Sequence, residues 1–227
     1  MQAQGNDFVV LDGLQHALPE MNESMVRKIC DRHLGIGCDQ LLVLEKHNQA
    51  DAVMLIYNAD GSQATNCGNG LRCVSELLMQ KLTQDNVSIA LADRIVSAQR
   101  TIHGIRVNMG LGCITQVTSE STDVDMGNQH RVFFGEGEVD PNLNNEFITA
   151  VNGDNVHVRI IERGSGETLA CGSGACAVAM AVWQNSKSEK PLTIHMPGGA
   201  VIVSQHNKNI YLEGNVSVVF QGNYDDA

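Results

Sequence analysis

Short apolar runs dominate the chain, recurring at 8–12, 40–45, 52–57, 87–92, 102–108, 147–151, 156–161, 192–196, 200–204, 209–212 and 216–220. Each is rich in Val, Ile and Leu and long enough for one strand, and turn formers such as Ala59-Asp60-Gly61-Ser62, Asn152-Gly153-Asp154 and Pro197-Gly198-Gly199 separate many of them. Only three stretches carry helical spacing. Leu18, Met21, Met25, Val26 and Cys30 form a stripe over 18–33 that stops at Gly35. Leu71, Val74, Leu77 and Leu78 form a second, and Cys176, Val178, Ala179, Met180, Val182 and Trp183 a third. Many strands with few long helices predict an α+β fold with mostly antiparallel or mixed sheets, not a regular βαβ series.

The second and third helices begin at related sequences. TNCGNGLRCV occupies 65–74 and LACGSGACAV occupies 169–178, so Cys67 and Cys171 stand 104 residues apart in the same frame. That spacing is too long for a solenoid repeat and predicts two similar halves. No Pro- or Ser-rich linker marks a boundary, and the division is placed near residue 112, giving halves 1–112 and 113–214.

Composition narrows the function. A chain of 227 residues can bury a real core, and 43% hydrophobic with 18% charged residues is the make-up of a folded protein. With 15 basic against 26 acidic side chains, the net charge of -11 repels a phosphate backbone, so no nucleic-acid partner is expected. The opening MQAQGNDFVV lacks the positive charge and apolar stretch of a targeting peptide. The longest weakly polar run, 169–183, is too short for a bilayer and is interrupted by Gly172, Ser173 and Gly174. A soluble, cytoplasmic protein without a membrane partner is the expectation. Seven cysteines without a Cys-x-x-Cys pair argue against a disulfide framework and a standard zinc module. A metal site from Cys67, Cys73, Cys171 and Cys176 would need unusual ligand gaps, so no metal is expected.

Cys67 and Cys171 carry the candidate chemistry. At a helix N-terminus a thiol meets unpaired N–H groups and the positive end of the dipole, which favour thiolate and raise reactivity. The glycines that follow let backbone amides approach a ligand, so Gly68-Asn69-Gly70 and Gly172-Ser173-Gly174 each offer donors to a carboxylate. If the halves face each other, one thiolate takes a proton from a carbon while the opposite thiol returns one, inverting a stereocentre. The amides stabilise the charge that builds on the carboxylate. A lone cysteine is more often a packing residue, and Cys30, Cys38, Cys73, Cys113 and Cys176 are read that way; the repeated frame sets the other two apart.

The same residues resemble a known family. Asn58-Ala-Asp-Gly-Ser62 followed by Cys67-Gly-Asn-Gly70, and Glu162-Arg-Gly-Ser-Gly-Glu-Thr168 followed by Ala170-Cys-Gly-Ser-Gly-Ala-Cys176, are similar to diaminopimelate epimerase. Gly5-Asn-Asp-Phe8, Arg32-His33, Gly37-Cys-Asp-Gln40, Val107-Asn-Met-Gly110, Gly127-Asn-Gln-His130 and Pro197-Gly-Gly199 extend the match in family order. The resemblance implies two pseudo-symmetric α+β halves, each a sheet wrapped round a central helix, with the site in the cleft between them. A last strand near 215–222 would bring 215–227 back to the first half. It implies interconversion of LL- and meso-diaminopimelate on the lysine and peptidoglycan pathway, without pyridoxal phosphate, metal or other cofactor, in a homodimer. Cys67 and Cys171 match the two bases, and His130 and Glu162 match residues that help the thiols lose or hold protons. Asn6, Gln40, Asn58, Asn128, Asn144 and Arg163 match the substrate grip. That grip suits an unreacting amino-carboxylate end, which needs a guanidinium for its carboxylate and amide oxygens for its ammonium.

There are departures and competitors. The opening and the stretches 67–127 and 130–162 are shorter than the family pattern, and Gln129 stands where proline is usual. One competing reading is a two-thiol racemase acting on proline, hydroxyproline or histidine; Asn69 together with Cys171 favours the epimerase. Another is a non-catalytic amino-acid-binding relative with trimmed loops. Gly164-Ser165-Gly166 fails as a phosphate loop, since no Lys-Ser/Thr follows.

Overall fold

The structure is a computed structural model, and it describes residues 1–16 and 18–224. The first elements are β1 (Gln2–Ala3), β2 (Asn6–Asp12), α1 (Glu23–Cys30), β3 (Gln40–Glu45), β4 (Ala52–Asn58), β5 (Gln63–Ala64) and α2 (Gly68–Leu82). Next come β6 (Asn86–Ala90), β7 (Ile95–Thr101), β8 (Gly104–Leu111), β9 (Cys113–Val117), β10 (Ser121–Asp125), β11 (Gln129–Phe134), β12 (Asn144–Asn152) and β13 (Asn155–Glu162). The series ends with β14 (Gly166–Thr168), α3 (Gly172–Ser186), β15 (Leu192–Met196), β16 (Gly199–His206) and β17 (Asn209–Gly214).

One series of pairings runs twice. β2 and β3 are parallel, β3 and β4 antiparallel, β4 and β6 parallel, and β6–β7 and β7–β8 antiparallel. In the second series β11 and β12 are parallel, β12 and β13 antiparallel, β13 and β15 parallel, and β15–β16 and β16–β17 antiparallel. The short strands β5 and β14 pair with β4 and β13 at matching places. The two last strands, β8 and β17, pair antiparallel and join the series into one mixed sheet. This is an α+β fold of two pseudo-symmetric halves, with α2 and α3 held against the strands of their own series.

Alternation explains the strands. In β13 Val156, Val158 and Ile160 are buried while the residues between them face out, and in β8 Ile105, Val107 and Met109 do the same. β3 is buried on both faces. Its Leu42 and Leu44 join the main core around α2, whereas Leu41 and Val43 pack with Val26, Ile29 and Cys30 of α1 in a smaller cluster. Burying these side chains contributes roughly 1.5–3 kcal/mol each against exposure. α1 is shorter than the stripe over 18–33 implies, because the Asn22 side chain accepts the Met25 N–H at 3.0 Å and so sets its start. α2 and α3 both end on a left-handed residue, Thr83 (φ 54°) and Lys187 (φ 53°).

Several expected strands shift. The run at 102–108 straddles the turn between β7 and β8, and the run at 216–220 forms no strand. Ser217 instead exchanges two backbone hydrogen bonds of 2.9 Å with Gln2, beside β1. Of the segment 215–227 expected to return there, residues 225–227 lie outside the described residues. Among the described residues no helix is long and apolar enough to cross a membrane.

Candidate active site

Each thiol of the repeated frame is the N-cap of its central helix. Cys67 is extended (φ −153°, ψ 103°) and its Sγ accepts the Gly70 N–H at 3.2 Å. Cys171 has the same conformation (φ −130°, ψ 117°) and accepts from Gly174 N–H at 3.4 Å. Glycine follows each cysteine because the two helix starts abut. A Cβ on Gly172 would lie 3.2 Å from Gly68 Cα and 3.3 Å from Asn69 Oδ1. Leu212 of β17 puts Cδ2 at 2.9 Å from the Cβ position of both Gly68 and Gly172, so one methyl touches both turns.

Several of the polar candidates are hydrogen-bonded to one another or to these two turns. Asn69 donates to Asn6 Oδ1 at 3.3 Å, and Asn6 donates to Asp39 at 2.9 Å. Gln40 donates to Asn58 Oδ1 at 2.9 Å across the β3–β4 register. On the other side Asn128 donates to Ser173 Oγ at 3.3 Å, which lies 3.5 Å from Cys171 Sγ. Glu162 ends β13, and its charge acts on both thiols. Both ends of the Asn144 amide are taken by backbone, donating to Gln129 O and accepting from Arg163 N, and the Arg163 residue is exposed. His130 is fully buried, with Nδ1 2.7 Å from Glu146 Oε1.

The thiols are not what helix ends alone predict. Burial is the largest influence on both; it pushes Cys67 up to about 11 and Cys171 well above an ordinary thiol, and the Glu162 carboxylate adds to both. The amides of Gly70 and Gly174 pull the other way but lose. A helix end is worth about 0.3–1 kcal/mol, whereas two pKa units correspond to about 3 kcal/mol. Cys73 and Cys176 are buried in the core, and Cys30 and Cys38 are buried with sulfurs 3.5 Å apart. Cys113 departs from the packing expectation: it is exposed on β9.

Three features of the site escape sequence reasoning. Glu146 reaches His130 through strand pairing. Arg72 lies wholly buried in α2 and donates to Asn69 Oδ1 at 2.5 Å and Gln4 Oε1 at 2.7 Å, and among the described residues no carboxylate pairs with it. Asn66 Oδ1 and Thr168 Oγ1, just before the two cysteines, are buried without a hydrogen-bond partner among the described residues. Among the described residues, no three His, Cys, Asp or Glu side chains are grouped to hold a metal ion.

Known proteins are similar to this chain in sequence and in fold. The chain is 32% identical to the diaminopimelate epimerase of Desulfitobacterium hafniense over 98% of its length and 95% of that protein. It is 30% identical to that of Moorella thermoacetica over 99% and 97%. The first alignment spans 270 positions against 227 residues here, so internal segments are shorter in this chain. In fold it is similar to a "Predicted Epimerase" of Pseudomonas aeruginosa, with a TM-score of 0.73 at 13% identity over 96% and 94% of the chains. The family model described as diaminopimelate epimerase matches residues 1–112 and again 105–219, and the chain belongs to the diaminopimelate epimerase family.

Proposed function

We propose that the protein is an isomerase that interconverts LL- and meso-diaminopimelate by proton exchange between two cysteines. The observation that carries this is the abutment of two equivalent Cys-capped helix starts, with Gly172 against Gly68. One thiolate removes the α-proton and becomes a thiol. The opposite thiol delivers its proton to the other face and becomes a thiolate, so protons balance and the reverse reaction uses the same groups. The carbanionic charge passes into the α-carboxylate, for which the first-turn amides of α2 and α3 are donors. Burial makes each thiolate scarcer but more basic, which suits abstraction from carbon. Asn6, Gln40, Asn58, Asn128 and Arg163 are proposed to hold the distal amino-carboxylate end, with Asn144 fixing the backbone of Arg163. His130 and Glu162 are proposed to manage the thiol protons.

The proposal also divides the chain into 1–112, with 215–227 returning, and 113–214, in a cytoplasmic homodimer acting in lysine biosynthesis. The repeated pairing series supports the division, and light scattering checks the dimer. Incubation with LL-diaminopimelate in heavy water tests the reaction. Deuterium should enter the α-carbon with formation of the meso isomer, and both Cys67→Ala and Cys171→Ala should abolish epimerisation. Binding without exchange in the unaltered protein overturns the reading in favour of an amino-acid-binding relative.

A further inference from the structure

His130 and Glu146 are both sealed from solvent, on neighbouring parallel strands. His130 is in register with Asn144 and Val132 with Glu146, so the two side chains share one face of the sheet and meet at 2.7 Å. The same Glu146 oxygen lies 2.5 Å from the point where a Cβ on Gly174 would stand, and Cys171 Cβ is 3.2 Å from that point. The carboxylate is therefore wedged between His130 and the turn that carries the second thiol. Among the described residues, His130 Nε2 and Glu146 Oε2 are buried without a hydrogen-bond partner.

A carboxylate here is costly. Glu146 sits in the stretch of β12 from Asn144 to Ile148 in which every residue is buried, and an apolar side chain would fit that environment without desolvating a charge. The chemistry gives the reason. A carboxylate is an acceptor, so it takes the Nδ1–H of the imidazole and leaves the lone pair on Nε2. Carboxylates orient histidines in this way at metal and nucleophile sites.

We propose that Glu146 is a positioning residue that locks His130 in the tautomer with a basic Nε2, next to the Cys171 turn. The inference rests on the proposed role of His130 in managing the proton of Cys171. When that proton passes to Nε2, a thiolate and an imidazolium form, and the Glu146 carboxylate is the buried charge that faces the imidazolium; the return step restores both neutral groups. Glu162 is the other carboxylate acting on Cys171.

Nitrogen-15 NMR of the histidine-labelled, full-length protein tests this, with the His130 signals assigned by their loss in His130→Gln. The expected result is protonated Nδ1 and unprotonated Nε2 in the unaltered protein, a shift towards Nε2–H in Glu146→Leu, and retention of Nδ1–H in Glu146→Gln, whose amide oxygen still accepts. In Glu146→Leu, kcat should fall by about 10–100-fold with little change in KM. Protonated Nε2 in the unaltered protein, or unaltered tautomer and kcat in Glu146→Leu, overturns the proposal. If the leucine variant does not fold, Glu146→Gln decides: lowered kcat with Nδ1–H kept supports it, and full kcat overturns it. The epimerase reading is tested separately by isotope exchange in the unaltered protein, while the tautomer is read without substrate.

Discussion

Replacing Glu162 with glutamine should make both thiols more reactive while slowing turnover. Glu162 is partly buried at the end of β13, and its charge raises Cys67 and Cys171 together. Cys67 stands at about 11 against an ordinary 9.0, which leaves its thiolate about a hundredfold scarcer below pH 9. Burial supplies the largest share of that rise and the carboxylate a smaller one. Glutamine keeps the shape and removes the charge. Alkylation by iodoacetamide at pH 8, followed for each cysteine by peptide mass mapping, should therefore run faster at Cys67, by well under the hundredfold that separates it from an ordinary thiol because a less basic thiolate is also a weaker nucleophile, with Cys171 shifting in the same direction. Epimerisation should fall in the same variant, which separates thiol ionisation from catalysis. Unchanged or slower alkylation in a folded Glu162→Gln protein would refute the assignment of this carboxylate to both thiols.

Further expectations concern charge, space and pH. Arg72→Met removes a buried cation that lowers Cys67, so alkylation of Cys67 at pH 8 should slow, opposite in sign to the Glu162 change; an unaltered rate counts against an electrostatic role for Arg72. Gly174→Ala puts a methyl 2.5 Å from Glu146 Oε1, and an overpacked core typically loses about 1–3 kcal/mol; full stability and activity would show that the carboxylate has room to move. Cys67, Cys73 and Cys176 have folded pKa values raised to about 11, 12 and 12 from an ordinary 9.0. In that window the unfolded chain loses protons first, so stability is full below pH 9 and falls as pH rises towards 12, by up to about 1.4 kcal/mol per pH unit for each thiol. Urea titrations of Cys176→Ala should show a shallower alkaline decline, and an identical slope would contradict the burial argument.

Much of the fold is legible where one strand face is plainly apolar. The runs at 40–45 and 192–196 coincide with β3 and β15. β9 to β11 escape because residues such as Gln116, Thr122, Asp123 and Arg131 dilute the apolar signal, although β10 still alternates buried and half-buried positions. Ser217 shows the converse: an apolar run formed no strand because only one residue found a partner. At the site, the Cys frames are readable since helix start, cap and glycine are local. The Glu146–His130 contact is not, because the parallel pairing of β11 and β12 creates it across 16 residues. Thiol basicity is likewise set by whatever three-dimensional packing removes from water.

Leu212 gives the paired architecture a quantitative edge. A single methyl equidistant from the two opposed glycines works as a gauge block, fixing the span between the helix mouths from the strand that joins the halves. Shaving it to alanine would change no residue of either thiol's own turn, yet would remove the stop that both mouths share. Both directions of the isomerisation cross the same barrier, so kcat/KM measured from LL- and from meso-diaminopimelate should drop by one common factor, while the equilibrium ratio of isomers stays that of the free molecules.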